Sequence, residues 1–352
     1  MRRLRRSGKG LIGVDISSAT VKLIELKCVR GQRRVESYAV RPLREGTVVE
    51  RRIRDMGAVA EALQRAVVQA QPSTDEACVA VPAGAAITKT LILPASLNDE
   101  EIEARIELES DKHIPFPFNE VSFDFQRLGI NERYTDQQDV LLVACRNRDV
   151  NQLTEALLQA GLTPAAVDVE TFSMERACHE LQQQMMASSD DECVALIDIG
   201  ANMNAFHVLR GGRIVYSRDN VFGGRRLTDE IASRYELTLE EAGLAKKRGG
   251  LPEDYASNVL MPFIETLVQQ VERSLQLYYT AGRKEKVSRL MLAGGSSVIP
   301  GLKQRLVEET GIEVLNVNPF RRMQVNSRIN AQTLANDAPA LLTACGLAMR
   351  GR

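Results

Sequence analysis

An internal duplication constrains this chain more than any other feature. Residues 11–82 and 194–294 each open on an apolar strand ending in a carboxylate: Leu11-Ile12-Gly13-Val14-Asp15-Ile16 in one copy, Val194-Ala195-Leu196-Ile197-Asp198-Ile199 in the other. Small residues follow each aspartate, Ser17, Ser18 and Ala19 in the first case and Gly200 and Ala201 in the second. Each copy continues through a second strand (21–26; 205–209), a glycine turn (Gly31; Gly211-Gly212) and a third strand (34–38; 213–217). A helix comes next. Met56, Val59, Ala60, Leu63, Val67 and Ala70 share one face at helical spacing, as do Leu227, Ile231 and Tyr235. A short buried strand closes each set, at 78–82 and at 290–293 before Gly294-Gly295. Five elements agreeing in order predict a repeated α/β unit and therefore two related lobes.

Two segments interrupt the plan. Between 87 and 162 lie a strand (87–93), a charged helix begun by Asn98 and Asp99, and an alternating strand carrying Val121, Phe123 and Phe125. A polar turn (131–138), a strand (140–145) and a helix ending at Gly161 complete a small α+β module. From 239 to 286 the second copy carries a mostly helical insertion, broken at Gly249-Gly250. Pro262 starts or kinks its long helix, whose stripe of Phe263, Ile264, Leu267, Val271, Leu275 and Tyr278 reads as core packing.

The 352 residues carry 45 Lys and Arg against 46 Asp and Glu, with 44% hydrophobic residues. That balance suits two or three globular domains and excludes wholesale disorder. It also argues against nucleic-acid binding, which needs a concentrated cationic excess. The exception is local: Arg2, Arg3, Arg5, Arg6 and Lys9 put +5 into the first ten residues. This head reads as a solvated tail or as a contact for an anionic membrane surface. The six cysteines (28, 78, 145, 178, 193, 345) stand singly in apolar runs and read as small reduced core residues of a cytosolic protein. No apolar stretch approaches the ~18 residues of a spanning helix, and Asp15 interrupts the run after the basic head, so neither a membrane span nor a signal peptide is expected. The expected location is cytoplasmic.

Two carboxylates at matched strand ends, each followed by residues small enough for backbone amides to approach a ligand, suit a polyphosphate. The amides would cradle oxygens while Asp15 and Asp198 hold a hydrated Mg²⁺ between them. The alternative is that each aspartate caps a tight turn. Gly294-Gly295-Ser296, between a buried strand and a helix starting near Pro300, has the context that admits a flat base or a phosphate, or that merely packs a helix. No G-x-x-x-x-G-K-[ST] sequence is present, which excludes a P-loop, and no G-x-G-x-x-G fingerprint follows a strand, which argues against a dinucleotide enzyme. His113, His179 and His207 are isolated, and His207 reads as a core histidine rather than a base. Ile114-Pro115-Phe116-Pro117-Phe118 reads as a rigid turn plugging the module and as a candidate wall of a peptide groove.

These strand-turn carboxylates, with Ala293-Gly294-Gly295-Ser296, resemble the phosphate and adenosine motifs of the actin, Hsp70 and sugar-kinase superfamily. The finer details are Gly13-Val14-Asp15-Ile16-Ser17-Ser18 leading into Val21-Lys22-Leu23-Ile24-Glu25-Leu26, then Ile114-Pro115-Phe116-Pro117, Val167-Asp168-Val169-Glu170 and Ala344-Cys345-Gly346-Leu347-Ala348-Met349-Arg350. Together they resemble the PilM family of type IV pilus assembly proteins, itself similar to the division protein FtsA. The resemblance implies an α/β, actin-like duplicated ribonuclease-H-type fold with a cleft, plus an FtsA-like inserted α+β subdomain of the SHS2 kind. Its parts would be a tail (1–10), a first lobe (11–86, 163–190 and 331–352), the inserted subdomain (87–162), a second lobe (191–238 and 287–330) and a helical subdomain (239–286).

The resemblance further implies ATP and Mg²⁺ in the cleft. Asp15, Ser17, Ser18 and Lys22 would serve the first phosphate loop, Asp198, Gly200 and Asn202 the second, and Gly294, Gly295 and Ser296 the adenosine turn. Asp15 and Asp198 would hold the metal. Glu170, where relatives place a water-orienting side chain, would assist hydrolysis together with Asp15; as a residue it also reads as a carboxylate favoured at a helix N-terminus. Glu240-Glu241-Ala242-Gly243-Leu244-Ala245-Lys246 is similar to a Glu-Ala-Glu-x-x-Lys nucleoside contact, with Gly243 in place of the second glutamate and Lys246 retained. Ser17 likewise stands where most of the superfamily has glycine. The implied partner is the N-terminal cytoplasmic tail of a PilN-like inner-membrane protein, docked between the first lobe and the inserted module. Other pilus inner-membrane and motor components, and a second copy in a homo-oligomer, would be further partners. The implied location is cytoplasmic, peripheral at the inner membrane. Nucleotide binding is implied ahead of efficient turnover, with hydrolysis slow or absent, and a small-molecule kinase or an FtsA-like filament protein are the competing readings.

Overall fold

Each half begins with a strand that turns back on itself twice and then, after a helix, returns parallel to its own start. In the computed structural model, which describes residues 10–185, 192–282 and 285–351, β1 (Leu11–Ile16), β2 (Thr20–Val29) and β3 (Gln32–Pro42) form an antiparallel meander. The basic head expected at Arg2 to Lys9 lies outside the described residues. A small hairpin, β4 (Val48–Val49) and β5 (Arg52–Ile53), leads into α1 (Met56–Ala70), which Asp55 caps by accepting the Ala58 N–H at 2.9 Å. Then β6 (Glu76–Val81) pairs parallel with β1.

The inserted module follows: β7 (Ala86–Pro94), α2 (Asp99–Leu108), α3 (Ser110–His113), β8 (Val121–Ile130), β9 (Gln137–Arg146) and α4 (Asn147–Gln159). Its strands form an antiparallel sheet in the order β7-β9-β8. α2 opens with a capping box in which the Asn98 side chain accepts the Glu101 N–H at 3.0 Å and the Glu101 carboxylate accepts the Asn98 N–H at 2.8 Å. It buries Ile102 and Ile106 against Leu91, Leu93, Val140 and Leu142, each worth roughly 1.5–3 kcal/mol of transfer free energy. The 114–118 cluster plugs this module. Ile114 is buried, Phe116 lies 3.9 Å under the Arg146 guanidinium, and Phe118 tilts against Phe123 at 5.2 Å between ring centres.

The chain rejoins the first sheet through β10 (Thr163–Val169), parallel to β6, and α5 (Glu170–Met185) carries it to the second lobe. There β11 (Cys193–Ile199), β12 (Asn204–Arg210) and β13 (Arg213–Asn220) repeat the meander. The helices α6 (Gly224–Arg234), α7 (Leu239–Arg248) and α8 (Met261–Thr280) follow, with Pro262 in the first turn of α8 directly after a wide turn at Ala256–Leu260. β14 (Val287–Ala293), α9 (Leu302–Thr310) and β15 (Glu313–Asn316) complete the lobe.

The strand orders are β10-β6-β1-β2-β3-β16 and β13-β12-β11-β14-β15. Counted within each lobe, both sheets run third, second, first, fourth, fifth. The duplication thus extends to a fifth, parallel strand in each copy, which the sequence pattern does not reveal. β16 (Gln324–Val325) pairs parallel with β3, so the chain is back on the first sheet earlier than the expected return at residue 331. α10 (Ala331–Asp337) and α11 (Leu342–Ala348) end the fold. Five of the six cysteines are buried as expected, but Cys28 is exposed near the outer end of β2, which corrects its reading as a core residue.

Between the sheets lie α5 and α11. The α5 side chains Met174, Ala177, Cys178 and Leu181 pack on the second sheet, while Ala344, Cys345 and Ala348 of α11 pack on the first. The two helices approach without intervening side chains: a Cβ on Gly346 would stand 1.8 Å from the Ser173 carbonyl oxygen. On the other face of α11, a Cβ on Gly13 would stand 1.9 Å from the Ala344 carbonyl oxygen. Asp168, buried at the end of β10, pairs with Arg176 of α5 and, at 3.0 Å, with Arg350 beyond α11. Gly346→Ala is expected to force the helices apart and to lower stability by about 2 kcal/mol or more in denaturant titrations. The same change at Gly243, where a Cβ meets open space, is expected to be neutral or slightly stabilising.

Candidate functional site

The turns after the two aspartates are built alike. Ser17 N–H donates to the Thr20 carbonyl at 3.0 Å, and Gly200 N–H donates to the Met203 carbonyl at 2.9 Å. In the first turn the Ser17 hydroxyl also donates to the Thr20 carbonyl at 2.9 Å and lies 3.1 Å from Thr20 Oγ1. The serine that replaces glycine is therefore engaged within its own loop. Ser18, half-buried, lies within this loop, while Asn202 in the second is exposed.

Asp15 and Lys22 face each other across β1 and β2, so their side chains rise from the same face, and Lys22 Nζ donates to Asp15 Oδ2 at 2.6 Å. Burial pulls the Lys22 pKa down, but Asp15, with Asp198 and Glu170 behind it, outweighs that and holds it above the ordinary lysine value. Asp198, at the end of β11, is pushed up by burial and by Asp15, against the opposing pull of Lys22 and Arg51. Glu170, the first residue of α5, is pushed up to about 7, mainly by burial; Arg51 opposes this, while Asp15 and Asp198 add to it. Arg51, at the tip of the β4–β5 hairpin, forms an ion pair with Glu170 and faces Asp219 and Asp198. The structure thus brings Asp15, Lys22, Glu170 and Asp198 into one electrostatic cluster, with Arg51 and Asp219 as members the sequence did not announce. His207, buried, has its pKa pushed down to about 4 by burial, and its Nδ1 lies 2.9 Å from Ser217 Oγ; it is a core histidine, as expected.

Asp198 also touches a second group of candidates. Gly294, at φ 86°, has no room for a side chain, since a Cβ there would stand 2.4 Å from Asp198 Oδ1. Ser296 N–H donates to the Ile199 carbonyl at 3.0 Å, and its hydroxyl donates to the Gly200 carbonyl at 3.3 Å. Gly295 is exposed beside them, with nothing near where a Cβ would be. Beyond Ser296 stands the start of α6, where a Cβ on Gly224 would reach to 2.0 Å from Ser296 Oγ. Lys246 Nζ donates to the Gly224 carbonyl at 2.9 Å and to Thr228 Oγ1 at 2.7 Å. Burial, then Lys247 and Arg225, lower its pKa to about 8. Glu240 is exposed, and Glu241 is engaged in the capping box of α7, accepting Thr238 N–H at 2.8 Å. Gly223-Gly224 before α6 carries the same sequence signal as Gly294-Gly295, a Gly-Gly pair ahead of a helix.

A bound nucleotide fits this arrangement. Small residues hold the backbone close at Gly294, Ser296 and Gly224, with Asp15 and Lys22 acting on Asp198 and Lys246 bonded to Gly224. Among the described residues no cluster of three or more His, Cys, Asp or Glu stands ready for a metal. A divalent ion held by Asp15 and Asp198 would therefore take most of its ligands from phosphate and water, as Mg²⁺ characteristically does. Among the described residues no helix is long and apolar enough to cross a membrane.

Over 98% of its length the chain is similar to a chain of the PilM-PilN type IV pilus biogenesis complex, with 26% identity, 99% of that chain covered and a TM-score of 0.79. Ta0583, an archaeal actin homolog solved in complex with ADP, shares the fold at 12% identity, with 97% of this chain and 98% of that one covered and a TM-score of 0.53. A 108-residue stretch is 28% identical to the ethanolamine utilization protein EutJ of Salmonella typhimurium, covering 31% of this chain and 35% of the relative; the chain thus spans about a third of that relative's length. The family model described as type IV pilus assembly protein PilM matches residues 13–352. The chain has an actin-like fold and belongs to the PilM family of type IV pilus assembly proteins.

Proposed function

We propose that this chain binds Mg-ATP between its two lobes and docks the cytoplasmic tail of a PilN-like inner-membrane protein, coupling nucleotide state to assembly of the pilus machine. The observation that carries the nucleotide half is the grouping of the Lys22–Asp15 pair, electrostatically coupled to Asp198, with the close contacts of Asp198 with Gly294, of Ser296 with Gly224 and of Gly224 with Lys246. The solved PilM-PilN complex supports the partner, and the ADP-bound archaeal actin homolog supports the ligand class.

In this reading Asp15 and Asp198 hold the metal, and Lys22 neutralises phosphate charge. The loops at Ser17-Ser18 and Gly200-Asn202 bring backbone amides to phosphate, and Gly294-Gly295-Ser296 flanks the base. Lys246 closes the nucleoside end. ATP and its Mg²⁺ would supply the transferable phosphoryl group and the charge that organises it. Glu170, with a pKa near 7, would orient or deprotonate water, which allows slow hydrolysis. Association with the membrane would come through the partner tail or the basic head. The subdomain division is the one set out from the sequence, with the return to the first lobe moved forward to include β16.

Asp15→Ala is expected to abolish Mg-ATP binding in calorimetry while leaving the fold intact by circular dichroism. A peptide of the partner tail is expected to bind the full chain with an affinity that Mg-ATP alters; equal affinities with and without nucleotide would remove the coupling. Lys246 supplies a pH test. Between about 8 and the ordinary 10.5 the unfolded chain holds more protons than the folded one, so the stability of the ligand-free protein rises with pH across that window. Lys246→Met is expected to raise the thermal midpoint at pH 7, to flatten the rise above pH 8, and to weaken nucleotide binding about tenfold.

A further inference from the structure

The β4–β5 hairpin has no counterpart in the duplicated plan, yet it carries an arginine to the carboxylate cluster. Its two turn residues, Glu50 and Arg51, both hold positive φ, at 50° and 60°, a pattern that ordinarily selects Asn-Gly. Glycine at 51 would relieve the strain; the chain keeps a guanidinium there instead. The register Val48↔Ile53 and Val49↔Arg52 leaves these two residues as the tip. The loop before the hairpin is tied to the second lobe, where Glu45 pairs with Arg225 of α6 at 2.7 Å. The segment therefore runs from the first lobe onto the second, over the carboxylate cluster. At its tip Arg51 pairs with Glu170, while the other cation, Lys22, is engaged with Asp15 at 2.6 Å.

Resting on the nucleotide reading above, we propose that Arg51 senses the terminal phosphate. Its guanidinium exchanges the Glu170 carboxylate for the γ-phosphate of a bound nucleoside triphosphate, so that the triphosphate is preferred over the diphosphate. A planar fork of N–H donors matches two phosphate oxygens as it matches two carboxylate oxygens, so the exchange needs only a side-chain rotation. It also frees Glu170 at the moment a triphosphate arrives, which confines any water-orienting role to the loaded state.

Calorimetric titration of the full chain with Mg-ATP and with Mg-ADP tests this. The wild type is expected to bind the triphosphate about tenfold or more tightly than the diphosphate. Arg51→Gly is expected to bring the ratio close to one by weakening ATP alone, with no fall in thermal midpoint because the turn strain is relieved. Arg51→Lys is expected to keep part of the preference. A wild-type ratio near one, a ratio unchanged by Arg51→Gly, or equal weakening of both nucleotides with a lowered midpoint each overturns the role of Arg51 while leaving the nucleotide site standing. Failure of the wild type to bind either nucleotide overturns the site itself.

Discussion

Crowding of like charges where the two sheets meet governs the centre of this molecule. Asp15, Glu170 and Asp198 lie half-buried and act on one another electrostatically, and Lys22 and Arg51 act on the same group, with the exposed Asp219 contributing. In water such a group would separate. Here they are fixed by the ends of strands and the start of a helix, and burial, with neighbouring carboxylates adding to it, holds Glu170 and Asp198 above their ordinary pKa. A site in this state favours whatever brings positive charge, as a divalent cation does.

The duplicated meanders were legible because alternation, glycine turns and terminal aspartates recur in the same order. The fifth strands were not: Thr163–Val169 has Pro164 near its start, and Glu313–Asn316 has four residues, too few for a period to emerge. β16 is shorter still, and its pairing with β3 joins residues about 290 positions apart, which no local pattern records. Asp15, Asp198 and Gly294 could be found because strand ends and paired glycines announce themselves. Arg51 could not, because its turn is built from Glu-Arg where the rule looks for Asn or Gly. Cys28 misled because it lies in an apolar run, yet close to the hairpin tip, where the strand has left the core.

Lys246 shows a different balance. Its ammonium is satisfied by neutral acceptors, the Gly224 carbonyl and the Thr228 hydroxyl. Burial of a charge so held works against folding. Residues retained under that handicap tend to serve a ligand. The opposite arrangement holds Asp168, which sits between two arginines and fastens β10, α5 and the end of the fold to one another.

Where α5 crosses α11, backbone meets backbone at Ser173 and Gly346. Interlocked side chains would allow neighbouring helices to ratchet past one another by a notch; a bare crossing offers no notches. Main-chain atoms alone therefore set how closely the helices that carry the two lobes approach. Glu170 lies less than one helical turn from that crossing, so the ion pair with Arg51 and the contact between the lobes are anchored on the same turn of α5.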